Sequence, residues 1–244
     1  MGPLASAQFM TRLTLLTDAD CDQAHVPAIL WSDPRIPDRG PVLLGVPGAA
    51  DPRPALLAAV RGLKAAGCGA LAIPCNTVHG WADLLGSQGM ELLHIVDAAG
   101  RDLAREVPPG SRIGIIGTTA TLALKLYPAG LARYGHTFIE PTDEETAQLV
   151  MPAIDAVKGN RVAESFAPIA EVTRRLVARG ADAVVLGCTE LPISLLWGDR
   201  GAAALRAFGA PVIDTIDALC RASIAWSRGA AGHTRELAPM LQQA

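Results

Sequence analysis

Short apolar runs alternate with longer stretches of helical periodicity along the chain. Several of the runs are apolar throughout, as expected of parallel strands that are covered on both faces. Two of the intervening stretches, residues 52–67 and 161–180, have helical periodicity and end on glycine, as helices often do. The pattern therefore predicts an α/β protein with a mainly parallel sheet. The predicted strands lie at residues 26–32, 70–74, 92–96, 112–117, 182–187 and 211–214.

The second half of the chain repeats features of the first half at a distance of 113 residues. A helical stretch, a glycine and an apolar strand precede "PCNT" at residues 74–77, and the same order precedes "GCTE" at residues 187–190. Self-similarity on this scale indicates two related units. We therefore predict a first domain formed by residues 1–107 and 212–244, and a second domain formed by residues 108–211.

One strand of the second half has no counterpart in the first half. The loop "GTTATLAL", which follows the strand at residues 112–117, matches "MGPLASAQF" at the start of the sequence, and nothing precedes the latter. In a flavodoxin-like strand order the unmatched strand is central, so residues 26–32 would lack a hydrogen-bonded neighbour and expose apolar surface. We expect either that the natural chain starts further upstream or that the protein is marginally stable.

Composition and charge restrict the classes of function. The 244 residues are half hydrophobic and 18% charged, which is sufficient for a large core or for two domains. The net charge is −3 without any basic block, so we expect no nucleic-acid partner. No apolar run approaches the ~20 residues of a membrane helix, and no secretory signal is recognisable. These features predict a cytoplasmic globular protein with no membrane partner.

Cysteine usage argues against disulfides and against a metal site. The five cysteines form no CxxC pair and no His/Cys grouping at zinc spacing. An odd number of separated thiols favours a reducing compartment. Cys21, Cys68 and Cys220 have no polar motif around them and are best explained as ordinary structural residues.

Cys75 and Cys188 are different because donor side chains follow each of them directly. In an open parallel sheet, residues just past the carboxyl end of a strand face the ligand crevice, next to the positive end of the following helix. A helix N-terminus favours the thiolate, so either cysteine could serve as a base or nucleophile near neutral pH. Two thiols on opposite sides of one carbon can remove a proton from one face and return a proton to the other. This chemistry inverts a stereocentre.

Seven stretches along nearly the whole chain carry a resemblance to a known family. They read "PCNTVH", "GCTELP", "MGPLASAQF", "SDPRIPDR", "DPRPALLAA", "PTDEE" and "DAVKGN". Together they resemble the aspartate racemase branch of the aspartate/glutamate racemase family, and the paired CNT and GCTE motifs are highly specific. The resemblance implies a two-domain α/β enzyme that uses neither pyridoxal phosphate nor a metal ion. It also implies an active site between two pseudo-symmetric, flavodoxin-like domains, and it suggests a homodimer.

The resemblance assigns roles to individual residues. It makes Cys75 and Cys188 the catalytic acid–base pair acting on a small dicarboxylic amino acid. Arg39 and Lys158 would hold the side-chain carboxylate of that substrate, with Arg39 suited to do so bidentately. Donors at the strand ends would bind its α-carboxylate. These donors are Asn76, Thr77, Thr118, Thr119 and Thr189.

Two further residues are weaker candidates. His79 and Glu190 lie close to the two thiols in sequence and are candidate auxiliaries that tune them. Each also has a simpler explanation, because His79 fits a packed or capping histidine and Glu190 fits a first-turn acid that complements a helix dipole.

Other activities on the same fold stay open at this stage. A decarboxylase would be expected to carry a small residue at one of the two cysteine positions, and this chain has both. A maleate isomerase keeps two cysteines and uses one as a nucleophile, but the "SDPRIPDR" stretch favours the racemase. A catalytically silent binding protein is the alternative from another class. The sequence does not distinguish aspartate from glutamate, nor does it assign a cysteine to an enantiomer.

Overall fold

The computed structural model describes residues 1–196 and 205–230. The parts of the predicted domains at residues 197–204 and 231–244 lie outside the described residues. The described helices are α1 (Pro3–Leu16), α2 (Arg39–Leu43), α3 (Arg53–Ala65), α4 (Ala82–Gly86), α5 (Ile95–Glu106), α6 (Thr119–Ala123), α7 (Leu126–Gly130), α8 (Asp143–Glu145), α9 (Met151–Lys158), α10 (Val162–Ala178), α11 (Glu190–Leu196) and α12 (Thr215–Ala230). The described strands are β1 (Ala70–Ala72), β2 (Glu91–Leu93), β3 (Arg112–Gly117), β4 (Thr137–Ile139), β5 (Ala183–Gly187) and β6 (Val212–Asp214).

The strand pairs of the described chain are all parallel. β1 and β2 form a small sheet in the first half, and the larger sheet has the order β4-β3-β5-β6. β3 and β5 pair in register from Ile113 opposite Ala183 to Gly117 opposite Gly187. The predicted α/β class with mainly parallel sheets is confirmed.

Helices cover the larger sheet on both faces, which explains why β5 is apolar throughout and why β3 is apolar after Arg112. Ile113 and Ile115 of β3 pack in a core shared with α1, α5 and α12. Val184 and Leu186 of β5 pack in a second core with α9, α10 and α11. Successive strand residues point to opposite faces, so a strand between two helical layers needs apolar residues at every position. None of the described helices combines the length and the apolar character needed to cross a membrane.

Most of the predicted elements are present, with shifted ends. Helices α3 and α10 lie within the stretches predicted for them, and strands β1, β2, β3, β5 and β6 overlap their predicted runs. β2 stops at Leu93 because the His94 side chain accepts a hydrogen bond from Val96 N and caps α5. Strand β4 was not predicted, since a three-residue strand carries too little periodicity to be recognised.

The strand predicted at residues 26–32 is wrong, because this segment has no regular secondary structure. A strand requires a paired neighbour for its backbone groups, and Pro27 also lacks an N–H donor. The side chains of Ile29, Leu30 and Trp31 are 44 to 52% exposed. The segment therefore exposes apolar surface, as expected for one without a hydrogen-bonded neighbour.

Residues 212–230 connect the two halves of the molecule. Strand β6, which the sequence analysis placed in the first domain, pairs with β5 of the larger sheet from Val184 opposite Val212 to Leu186 opposite Asp214. Helix α12 follows β6 and packs against α1 and α5 of the first half. The start of α12 consequently lies close to the carboxyl ends of strands from both halves.

Candidate active site

A cavity of about 300 Å³ lies beyond the carboxyl ends of β1, β3 and β5. Both halves of the chain line it, and each contributes the cysteine that follows its strand. Every site residue predicted from the sequence lines this cavity except His79. Those residues are Arg39, Cys75, Asn76, Thr77, Thr118, Thr119, Lys158, Cys188, Thr189 and Glu190.

Glycines at two strand ends allow this convergence. Gly117 and Gly187 are paired in register at the ends of β3 and β5. A Cβ added to Gly187 would come within 3.0 Å of both the Ile116 carbonyl oxygen and the Tyr127 ring. A side chain here would force the Ile116 backbone or the Tyr127 ring to move, so glycine fits this approach best. Thr118 and Cys188, the next residues along each strand, are thereby brought to adjacent positions at the cavity.

Cys188 is held as a thiol in the free protein. The residue is 6% exposed, and its S–H donates to Glu190 Oε2 at 3.1 Å. Burial raises the pKa of Cys188 well above its usual value, and the charge of Glu190 raises it further. The sequence-based expectation that the following helix would make this thiol acidic is therefore wrong for Cys188. Desolvation and a neighbouring carboxylate outweigh the helix dipole here.

Cys75 is positioned through its backbone by His79. The His79 ring is buried, its Nδ1 donates to the Cys75 carbonyl oxygen at 2.9 Å, and its Nε2 accepts from Ile95 N at 3.3 Å. Burial, followed by the charge of His94, lowers the pKa of His79 to about 3. His79 is therefore neutral and has both ring nitrogens bonded to backbone groups. It fixes the position of Cys75 and the start of α5, and it does not line the cavity.

Cations lie at the end of the cavity formed by α2 and α9. Arg39 is 9% exposed and donates through Nη1 to the Pro37 carbonyl oxygen at 3.1 Å. Its buried Nε has no hydrogen-bond partner among the described residues. Lys158 is the last residue of α9, and its Nζ lies 3.7 Å from Asp155 Oδ1 with the side chain 34% exposed. A buried guanidinium with an unused donor is suited to receive an anionic ligand.

Comparison with known proteins identifies the family. The family model described as Asp/Glu/hydantoin racemase matches residues 1–223 of the chain. The chain belongs to this family. The family recognised in the sequence motifs is thus confirmed.

Solved structures similar to this racemase-family chain include an aspartate racemase and an aspartate racemase homologue. The aspartate racemase of Picrophilus torridus is 28% identical, with 93% of this chain and 90% of that chain covered at a TM-score of 0.78. An aspartate racemase homologue from Pyrococcus horikoshii OT3 is 20% identical, with 93% and 95% covered at a TM-score of 0.66, which is a likeness of fold alone. Among curated proteins, an uncharacterized protein in the pnlA 3' region of Pectobacterium carotovorum subsp. carotovorum is 34% identical over 85 residues. That match covers 35% of this chain and 56% of the relative, so the chain spans just over half of that relative's length.

Direct hydrogen bonds join the two cysteine motifs of the racemase-family fold. The Thr189 hydroxyl donates to the Pro74 carbonyl oxygen at 3.1 Å, directly before Cys75. The hydroxyl of Thr77 lies 3.2 Å from that of Thr118 and 3.1 Å from that of Thr121. These bonds hold the two halves in a defined relative position. They also mean that the Thr189 hydroxyl proton is already used in the free protein, so this hydroxyl has only lone pairs to offer a ligand.

Sequence reasoning missed three residues of this site. Asp38 lines the cavity beside Arg39 and accepts from Gly40 N at 3.0 Å. Burial opposes its ionisation, but the Gly40 hydrogen bond and the charges of Lys158 and Arg39 hold the pKa of Asp38 below its usual value. Thr121 and Tyr127 lie behind the cavity and bond to residues that line it. Asp38 stands within "SDPRIPDR" and had a sequence signal, whereas Thr121 and Tyr127 had none.

The cavity combines anion-binding groups with two thiols. Arg39 and Lys158 supply positive charge, and the carboxylates of Asp38 and Glu190 can accept from an ammonium group. Within residues 1–196 and 205–230, no group of three or more His, Cys, Asp or Glu side chains is placed to hold a metal ion. The arrangement suits a small zwitterion with an additional carboxylate, with proton transfer by the thiols.

Proposed function

We propose that this member of the racemase family interconverts L- and D-aspartate, without a cofactor, by proton transfer between Cys75 and Cys188. The observation that carries the proposal is that both thiols line the same cavity as the buried Arg39 with its unpartnered Nε. The likeness to the aspartate racemase of Picrophilus torridus supports aspartate as the substrate. We expect the enzyme to act in the cytoplasm, where thiols stay reduced, and as a homodimer.

Opposite ends of the cavity bind the two carboxylates of the substrate in this proposal. Arg39 and Lys158 hold the side-chain carboxylate, and Asp38 accepts from the ammonium group. Donors around the strand ends hold the α-carboxylate. Because the deprotonated substrate spreads negative charge into that carboxylate, fixed donors there stabilise the carbanion more than the substrate. Those donors are Asn76, Thr77, Thr118 and Thr119, together with the backbone N–H groups that follow the two cysteines.

Because Cys188 holds a proton in the free protein, it is the acid in the first turnover, and Cys75 is the base. Cys75 takes the Cα proton as the base, so that a C–H bond breaks and an S–H bond forms. Cys188 then gives its proton to the opposite face of the carbanion and becomes a thiolate. A thiolate beside the Glu190 carboxylate is unfavourable, which promotes its reprotonation from solvent. The other enantiomer requires the reverse assignment.

Deuterium incorporation tests this mechanism. In deuterated water at early times, newly formed enantiomer should carry deuterium at Cα while the remaining substrate stays protiated, in both directions. Chiral chromatography with mass spectrometry separates the two pools. Deuterium entering recovered substrate as fast as product would instead indicate one base serving both faces, and the two-thiol mechanism would be abandoned.

Substitution of the cysteines tests the same step. Cys75→Ala and Cys188→Ala should each lower racemisation by about 10³-fold or more in both directions, since each enantiomer needs an acid and a base. Cys21→Ala is the matched control, because Cys21 is an exposed cysteine that does not line the cavity, and it should retain full activity. A chiral assay over aspartate and glutamate fixes the preferred substrate. Binding of aspartate with no Cα exchange would replace the proposal with a silent binding protein.

A further inference from the structure

The Asn76 side chain is held in a single orientation by a chain of hydrogen bonds that starts in the second half of the molecule. The Leu186 carbonyl oxygen can only accept, so the Thr215 hydroxyl donates to it, at 2.8 Å. That hydroxyl has no second proton and must accept from Asn76 Nδ2, at 3.4 Å. The amide oxygen of Asn76 is thereby turned away from Thr215.

Tyr127 completes this chain of hydrogen bonds from the opposite side. Its Oη donates to Asn76 Oδ1 at 2.5 Å. Burial raises the pKa of the Tyr127 phenol, so the hydroxyl keeps its proton and stays a donor. Asn76 thus has its oxygen and one N–H engaged, and among the described residues the second N–H has no partner. Since Asn76 lines the cavity, that N–H is available to a ligand.

The Tyr127 ring also contacts the end of strand β5, which Cys188 follows. Tyr127 is 1% exposed, and its ring approaches Gly187 so closely that a Cβ there would lie 3.0 Å from it. Gly187 directly precedes Cys188. A single buried side chain therefore packs beside one cysteine and bonds to the residue that follows the other.

We infer that Tyr127 is a positioning residue, which holds the Asn76 amide so that one of its N–H groups donates to the α-carboxylate of the substrate. This inference rests on the proposed racemase function and adds to it a residue that does not itself touch the substrate. Without the phenol hydroxyl, Asn76 Oδ1 loses its donor and the amide can rotate. Because charge on the α-carboxylate grows during proton abstraction, the loss should reduce kcat more than it raises KM.

Tyr127→Phe tests the inference, with Tyr134→Phe as the matched control. Phenylalanine keeps the buried ring, and melting temperatures of both variants report on the fold. We expect kcat/KM for aspartate to fall about 10-fold or more in Tyr127→Phe, most of it in kcat, and to stay within about twofold in Tyr134→Phe. In an Asn76→Ala background, Tyr127→Phe should lower kcat/KM by less than about twofold, because the amide that Tyr127 holds is absent. An equal loss in both backgrounds would make Tyr127 a structural residue only and overturn the inference.

A measurement that needs no turnover separates this inference from the proposed function. If the wild-type protein racemises nothing, the proposed function fails, and a crystal structure of Tyr127→Phe still tests the positioning role. A rotated or disordered Asn76 amide is the expected result. An Asn76 side chain unchanged from wild type, still donating to Thr215 in the same orientation, would overturn the inference.

Discussion

The two cysteine motifs occupy equivalent places in the fold but have different surroundings. Cys75 follows β1, a three-residue strand of a two-stranded sheet, whereas Cys188 follows β5, a five-residue strand buried in a four-stranded sheet. The Cys188 thiol donates to Glu190, while the histidine near Cys75 bonds only to backbone groups. An internal repeat thus places two thiols at one cavity, and a carboxylate is hydrogen-bonded to the one at Cys188.

The same asymmetry extends to the charged residues of the cavity. The first half contributes Arg39, which is buried and has an unused donor, and the second half contributes Lys158, which is one-third exposed and lies near Asp155. Exposed ion pairs contribute little, whereas a buried guanidinium with an unused N–H donor gains much from an anion. The first half should therefore dominate carboxylate binding and the second half should dominate the control of proton transfer.

The largest difference in kcat/KM between the two halves is expected when Arg39 and Lys158 are substituted in turn. Arg39→Ala should lower kcat/KM for aspartate about 100-fold, because two charge-assisted hydrogen bonds of about 1.5 kcal/mol each are lost. Lys158→Met should lower it about 10-fold. Arg35→Ala is the control, since Arg35 lies just before α2 and pairs with Asp33 at the surface. Steady-state kinetics that leave aspartate turnover unchanged in both Arg39→Ala and Lys158→Met would disprove the proposed carboxylate site.

A smaller effect is expected when the carboxylate beside Cys188 is neutralised. Glu190→Gln keeps the size of the side chain but removes the charge that raises the pKa of Cys188. The pKa of Cys188 should fall, so its alkylation by iodoacetamide should begin at lower pH than in wild type. Mass spectrometry of the Cys188 peptide against pH measures the shift, with Glu144→Gln as an exposed control. If Cys188 were alkylated with the same pH midpoint in wild type and in Glu190→Gln, then Glu190 would not raise the pKa of Cys188.

Racemase kinetics add a second measurement for the same variant. The equilibrium constant between enantiomers is one, so kcat/KM must stay equal in the two directions in every variant. Glu190→Gln should therefore lower both values together, by about 10-fold, while kcat alone differs between the L and D directions. A higher KM with kcat unchanged in both directions would indicate that Glu190 acts on binding instead of on one thiol.

A separate effect, on folding and not on catalysis, is a pH dependence of stability that originates in the first half. The pKa of His79 is lowered to about 3, so below pH 6.5 the unfolded chain binds a proton that the folded protein does not. This contribution to stability is complete above pH 6.5 and is lost as the pH falls, by about 2 kcal/mol at pH 5. His79→Asn keeps a donor for the Cys75 carbonyl and cannot titrate. Its melting temperature should fall less between pH 7 and pH 5 than that of wild type.

The matching control is Gln23→Asn, at an exposed residue that does not titrate. It should keep the wild-type slope of melting temperature against pH. A His79→Asn protein with that same slope would show that His79 is protonated in the folded state, contrary to its buried contacts.

Periodicity and motifs were sufficient to predict the class of the fold and many of the residues that line the cavity. β5 is apolar at every position and β3 is apolar after Arg112, and the position of Cys75 and Cys188 after apolar strands predicted that they would meet at one cavity. Residues 26–32 show the limit of this reasoning, because a pattern reports strand propensity but not the presence of a neighbour to pair with. The placement of β6 in the larger sheet likewise depends on a pairing that no local pattern encodes.

The local sequence specified which residues reach the cavity, because a parallel sheet places every strand end at the same edge. It did not specify how those residues are protonated or oriented. Cys188 stays protonated because burial and Glu190 act together, and burial is a property of the packed fold. The Asn76 amide is oriented by Tyr127, 51 residues away, and by Thr215, 139 residues away. Contacts over such separations arise only when the two halves pack together, which is why the tertiary structure was needed to assign a role to Tyr127.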